Sequence, residues 1–192
     1  MRCWEPQDAP ALKEAVDSSL DHLRPWMPWA ANEPQSLDEK VQLLRRFRGN
    51  FDLAEDFVYG VFSRDESEVV GGSGLHTRVG GGAFEIGYWI RENRSGEGLA
   101  TELSAALTRV AFELCDIDRI EIHTEPENER SMRIPLKLDY REEARLRRRL
   151  YAAPGGDLRD AVIFTLFRDE FPGTPSASAA LEAYDAAGQR VL

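Results

Sequence analysis

From Phe84 to Ile90 apolar side chains recur at every second position: Phe84, Ile86, Tyr88 and Ile90. Glu85, Gly87 and Trp89 fall between them, so the stretch reads as a strand with one buried face. At Leu99 the period lengthens. Leu99, Leu103, Leu107 (with Ala106), Val110 and Leu114 form one helical stripe, while Glu102, Arg109 and Glu113 point away. Between strand and helix lies Arg94-Ser95-Gly96-Glu97-Gly98. The next alternating run, Asp118 to Thr124, makes a strand–helix–strand crossover. Its strand should therefore lie parallel to the one at Phe84–Ile90.

The same pattern predicts the remaining elements. Met1 to Glu5 reads as a short strand. Asp8 is placed to cap a helix with Pro10 in its first turn and Leu12, Ala15, Val16, Ser19, Leu20 and Leu23 on its inner face. Pro25 and Pro28 interrupt that stripe around Trp26 and Trp29. Ser36 and Glu39 form a capping box for a second helix, with Val41, Leu44 and Phe47 inward and Gly49 at its end. Asp56–Phe62 and Glu68–Thr77 read as two strands around a polar turn, and Gly80-Gly81-Gly82 as a second turn. Asn128 or Glu129 opens a further helix, in which Pro135 should clash with the carbonyl of Ser131 and leave an irregular turn there. Tyr140–Leu150, with Arg145, Arg147 and Arg149 alternating, and Asp160–Arg168 read as strands joined at Pro154-Gly155-Gly156. The domain is set at residues 1–170, and residues 171–192, rich in Pro, Ser and Ala, are read as a loose tail with a short helix.

The glycine turn carries the clearest chemistry. A turn running into a helix N-terminus offers unpaired N–H donors and the positive end of the helix dipole, which suits a phosphate or diphosphate. A plain strand–helix connection has the same sequence signature. No P-loop lysine followed by Ser or Thr is present, and the third small position of a dinucleotide fingerprint would fall on Thr101.

Composition narrows the function. The chain has 192 residues, is 42% hydrophobic and carries a formal net charge of −10. That describes one domain of ordinary size and argues against nucleic acid as a partner. An acidic protein would hold a polyanion through local donors: backbone N–H groups, Arg91 and Arg94. An acidic surface suits a cationic amine, and it also serves solubility. Cys3 and Cys115 have no metal or redox spacing, and Cys115 is expected as a buried helix residue. His22, His76 and His123 are scattered, so no metal site is expected and each histidine reads as structural or surface. No apolar run is long enough to cross a bilayer and no signal peptide is read, so the expected setting is cytoplasmic, without membrane.

The stretch EIGYWI, the turn ending Gly98-Leu99-Ala100, Asn128-Glu129-Arg130-Ser131, Lys137-Leu138-Asp139-Tyr140 and HLRPWMPWA near the N-terminus resemble the GNAT (Gcn5-related N-acetyltransferase) superfamily, in its RimJ/RimL branch. The resemblance spans about residues 1 to 168. Two positions depart from it: Ser95 stands where the motif has Arg or Gln, and Asp139 where it has Gly. The resemblance places several strand residues ahead of Met1. It implies an α/β (α+β) fold, a mixed, mostly antiparallel sheet of six to seven strands splayed at the centre and flanked by about four helices. It implies acetyl-coenzyme A as cosubstrate and acetyl transfer to a primary amine.

Site residues follow as what the resemblance implies. The cofactor would meet Trp89, Ile90, Arg91, Arg94, the run Ser95, Gly96, Glu97, Gly98, Leu99, Ala100 and Thr101, and Asn128 with Ser131. A backbone N–H of Trp89 or Ile90 would face the thioester oxygen. Ser131 would meet the departing sulfur, with Tyr140 as the rival acid. Glu85 is the first candidate for base, directly or through a water. Trp26 and Trp29 would wall the acceptor site or simply roof the core. The acceptor is a protein N-terminal or peptide-like amine, or a small-molecule amine such as an aminoglycoside, polyamine or amino acid. A non-catalytic acetyl-coenzyme A-binding domain is the third reading. A monomer or a homodimer fits equally.

Overall fold

The computed structural model describes residues 1–150 and 157–192. Its strands are β1 (Arg2–Cys3), β2 (Phe57–Phe62), β3 (Val69–His76), β4 (Ala83–Ile90), β5 (Arg119–Thr124), β6 (Arg141–Leu150) and β7 (Arg159–Phe167). They form one sheet in the order β1-β2-β3-β4-β5-β7-β6. Every pairing is antiparallel except β4 with β5. The helices are α1 (Ala9–Asp17), the single turn α2 (Leu20–Leu23), α3 (Leu37–Asp52), α4 (Leu99–Leu114) and α5 (Glu129–Lys137). The mixed, mostly antiparallel sheet matches the architecture implied by the sequence resemblance. The turn at Pro154-Gly155-Gly156 lies outside the described residues.

The sheet is covered by different helices on its two faces. Ile86 of β4, Ile120 and Ile122 of β5, and Val162, Phe164 and Leu166 of β7 pack with Leu107, Ala111 and Phe112 of α4. Trp4, Leu12, Ala15, Val16 and Leu44 form a second core from α1 and α3, against which Val58, Phe62 and Trp89 rest. The buried face of α4 is rotated from the leucine stripe: Ser104 and Thr108 are fully buried, and Leu114 is 43% exposed. Thr108 Oγ1 donates to the Ser104 carbonyl at 2.7 Å, which satisfies the Thr108 hydroxyl in the core, while the Ser104 hydroxyl is buried without a partner among the described residues.

Several local expectations shift. The Asp8 carboxylate does not cap α1. It accepts instead from Arg2 and from the Glu5 N–H. The Ser36–Glu39 capping box forms, but α3 runs past Gly49 to Asp52. Cys115 is half-buried, and both cysteines are free. The segment after Phe171 packs on α4: Phe171 stacks at 5.0 Å on Phe112, and Arg109 donates to the Ala179 carbonyl at 2.7 Å. Asp139 has φ +63, a left-handed backbone that glycine adopts at least cost and Asp tolerates. That conformation explains why the resembling motif has glycine there.

Candidate active site

The parallel pairing of β4 with β5 spans three residues: Ala83 with Arg119, Phe84 with Ile120 and Glu85 with Glu121. Beyond Glu85 the strands part, while β4 stays paired to β3 as far as Ile90 and β5 stays paired to β7 as far as Thr124. The gap therefore opens in mid-sheet. The Arg91 N–H bonds the Val70 carbonyl on the β3 side. Backbone direction alternates along a strand, so Trp89 and Gly87 also face β3, and Ile86, Tyr88 and Ile90 face the β5 side. The Glu85–Glu121 pairing takes up the Ile86 N–H, and the N–H and C=O groups of Tyr88 and Ile90 open into the gap. Of the two expected oxyanion donors, Ile90 keeps that direction and Trp89 loses it. The Tyr88 N–H joins Ile90.

At the end of β4 the chain turns through Gly96 (φ +88) and Gly98 (φ +87) into α4. These left-handed conformations are where glycine is needed. Gly96, Glu97 and Gly98 are exposed, Leu99 and Ala100 half-buried. Among the described residues the N–H groups from Gly96 to Ala100 have no acceptor, while those of Thr101 and Glu102 return to the Gly98 carbonyl. A Cβ at Gly96 or Gly98 would meet nothing within 4 Å, so space lies open before the donors. The chemistry fits a diphosphate.

The two arginines beside this turn are differently placed. Arg91 is 6% exposed and points inward, with hydrogen bonds to Glu14 and Ser18 and an ion pair to Glu68. It ties the end of β4 to α1 and the edge of β3. Arg94 forks onto Glu97 at 2.8 and 2.9 Å and reaches Glu68 at 2.8 Å. Those exposed pairs are weak and exchangeable. Ser95 Oγ lies within reach of His22 Nε2 and the Arg91 carbonyl.

Across the gap, Asn128 caps α5, its side-chain oxygen accepting the Ser131 N–H at 3.1 Å. The helix continues through Pro135 without the irregular turn expected at Ser131. Pro135 has no N–H to give the Ser131 carbonyl, and the Tyr88 hydroxyl lies 3.4 Å from that oxygen and 3.0 Å from Ser131 Oγ. Burial pushes the Tyr88 phenol up to about 12, with the bond to Ser131 opposing. Tyr140 faces elsewhere. It is 2% exposed, with its hydroxyl 2.6 Å from Thr108 Oγ1 under α4, and burial holds it far above the ordinary phenol range. The geometry thus sets Tyr88 beside Ser131 and keeps Tyr140 in the core. The alternation of β4 places Tyr88 on the buried face; nothing local shows that its hydroxyl reaches the next helix.

On the opposite face of the sheet, Glu85 is 7% exposed and gripped by Arg78, Nε to Oε2 at 2.7 Å and a terminal nitrogen to Oε1 at 2.5 Å. Burial alone would raise its carboxyl. The Arg78 hydrogen bonds and charge, with His123 and His76, outweigh that and hold it below the usual range. A carboxylate so held is a poor proton acceptor. Trp29 stands edge-on to Trp89 at 5.9 Å, and Trp26 is half-buried. Trp89 lies over Gly72, where a Cβ would meet its Nε1 at 2.5 Å. Lys40 and Glu33, their side chains 1% and 3% exposed, pair beneath the Trp29 loop. Arg159 bonds the Pro25 carbonyl and Glu125, linking that loop to the end of β5. No cluster able to hold a metal ion occurs among the described residues, and no helix there is long and apolar enough to cross a membrane.

Comparison with known proteins bears on this arrangement. The model of the acetyltransferase (GNAT) domain matches residues 1–141. A putative ribosomal N-acetyltransferase, YdaF, of Bacillus subtilis (strain 168) is 27% identical over 175 residues, covering 90% of this chain and 93% of that protein. The [ribosomal protein uS5]-alanine N-acetyltransferase of Escherichia coli (strain K12) is 26% identical, covering 86% of each. A solved structure of RimL, a ribosomal L7/L12 alpha-N-protein acetyltransferase in complex with coenzyme A, shares the fold with a TM-score of 0.79 at 20% identity, over 88% of this chain and 93% of that one. The family model and the open sheet agree: the chain belongs to the acetyltransferase (GNAT) family.

Proposed function

We propose that this N-acetyltransferase moves the acetyl group of acetyl-coenzyme A onto the α-amine of a protein N-terminus, with ribosomal proteins as the acceptor class. One observation carries the cofactor reading. A mid-sheet gap with bare backbone at Tyr88 and Ile90 leads to a turn with free N–H groups from Gly96 to Ala100. A ligand with a diphosphate at one end and an amide-bearing arm at the other fits both parts. The names of the YdaF and uS5-modifying relatives support the acceptor class.

Bound acetyl-coenzyme A supplies a thioester whose thiol, with a pKa of about 8.5, leaves readily. The Ile90 and Tyr88 N–H groups meet the oxygen where negative charge develops. The hydroxyls of Ser131 and Tyr88 hydrogen-bond the departing sulfur, with Asn128 fixing the first turn of α5. The acceptor enters from the face of Trp29 and Trp89.

The test is a thermal shift with acetyl-coenzyme A, followed by thiol release with an amine panel. Peptides with a free N-terminus should react. The same peptides blocked at the N-terminus, aminoglycosides and polyamines should not. Turnover only on a small amine would move the acceptor class. A thermal shift without turnover on any amine would leave a binding domain.

A further inference from the structure

Gly87 lies on β4 two residues past the last pairing with β5, on the face opposite α4. Together with its cross-strand partner Gly74 it leaves a floor without side chains. The ring of His76 occupies that floor: a Cβ at Gly87 would come within 3.2 Å of His76 Nε2, and one at Gly74 within 2.7 Å. Its other nitrogen, Nδ1, lies 2.9 and 3.1 Å from the two carboxylate oxygens of Asp56. A protonated Nδ1 donates there, which leaves Nε2 with a lone pair at the edge of the gap.

The other titratable groups on this face are already committed. Glu85 of β4 is forked by Arg78. Glu121 of β5 accepts from Arg119 at 2.8 Å. His123 of β5 has Nε2 2.7 Å from Glu121 and Nδ1 3.8 Å from Glu85, so both its nitrogens face carboxylates. Among the described residues His76 Nε2 and His123 Nδ1 are the imidazole nitrogens on this face without a hydrogen-bond partner. Of the two, His123 Nδ1 faces the Glu85 carboxylate, whereas His76 Nε2 faces Gly87 and Gly74. The His76 side chain is 18% exposed, so the position is reachable from solvent.

We propose that His76, oriented by Asp56, takes the proton from the acceptor amine. The inference rests on the acetyl-transfer reading above. The amine nitrogen forms a bond to the thioester carbonyl carbon and the carbon–sulfur bond breaks. The proton lost by nitrogen goes to His76 Nε2, and the electron pair of the broken bond leaves on sulfur beside Ser131 and Tyr88. His76 then returns its proton to solvent, and the thiolate is protonated from solvent. Asp56 is a positioning residue and touches only the imidazole.

The experiment compares the full chain with His76→Gln, Asp56→Asn and His123→Gln, using acetyl-coenzyme A and a peptide with a free α-amine. H76Q should lower kcat/KM at pH 7 about 100-fold, the usual scale of general base catalysis. Its thermal shift with coenzyme A should be kept. The deficit should narrow above the α-amine pKa of about 8, where the amine arrives uncharged and hydroxide replaces the missing base. D56N should lower kcat about 10-fold at unchanged KM, and it tests the same point should H76Q not fold. An undiminished H76Q, or a larger loss in H123Q, overturns the inference while leaving acetyl transfer standing. A wild-type protein inactive on every amine overturns the acetyl-transfer reading itself, and this inference with it.

Discussion

Tyr88 of β4 and Ser131 of α5 meet hydroxyl to hydroxyl across the gap at 3.0 Å, an approach made from two elements that share no backbone pairing. If both serve the departing sulfur, Tyr88→Phe and Ser131→Ala should each lower kcat by about 10-fold, roughly 1.4 kcal/mol. The double variant should lose much less than the product, because one hydroxyl positions the other. With the Tyr88 phenol pushed up to about 12, it stays protonated through pH 10, so no alkaline limb should be traceable to it. Steady-state kinetics from pH 6 to 10 measure both points.

Gly98 caps α4 at φ +87 with open space before it. Gly98→Val places a β-branched side chain among the free N–H groups. The left-handed backbone costs about 1–2 kcal/mol without glycine. The fold should survive that loss, while the thermal shift with coenzyme A should vanish. A retained shift would place the diphosphate elsewhere.

The Glu85–Arg78 pair gives a stability effect with a defined sign. The folded carboxyl is held below its unfolded value. Its contribution is therefore complete above the unfolded pKa of about 4.3 and is lost as pH falls through the folded value. Glu85→Gln should cost about 2 kcal/mol at pH 7, as expected for charged hydrogen bonds. The difference should shrink as pH falls below about 4.3 and vanish once pH is below the folded value as well. Chemical denaturation at a series of pH values tests this.

Asp139 stands at φ +63. Asp139→Gly should stabilise the protein by about 1 kcal/mol through relief of that backbone, raising Tm by about 2–4 °C for a chain of this size. A lower Tm would mean that the side chain contributes more than the strain removes.

Much of the fold was legible because its signals are local. The shift of period at Leu99, the Ser36–Glu39 box and the glycines of the turn each lie within a few residues of the structure they specify. Asn128 and Pro135 likewise announce how α5 begins and where a carbonyl is freed. The site was less legible because its partnerships span the chain. Arg78 reaches Glu85 around a turn, Asp56 holds His76 from the residue just ahead of β2, and Glu14 draws Arg91 inward from α1. Arg78, Asp56 and Glu14 each read as a surface charge on their own. Tyr88 reads only as an apolar-stripe aromatic and Tyr140 as the rival acid until the partner each hydroxyl meets is known.

The short zip between β4 and β5 has a consequence for solvent exchange. The amides of Tyr88 and Ile90 sit in the middle of a sheet, yet on the gap side they resemble those of an outer strand. In the free protein they should take up deuterium far faster than their neighbours Gly87 and Trp89, which are latched to β3. A ligand arm laid along that bare stretch should slow them to match, so a two-residue beat in the labelling pattern would disappear when the groove is filled.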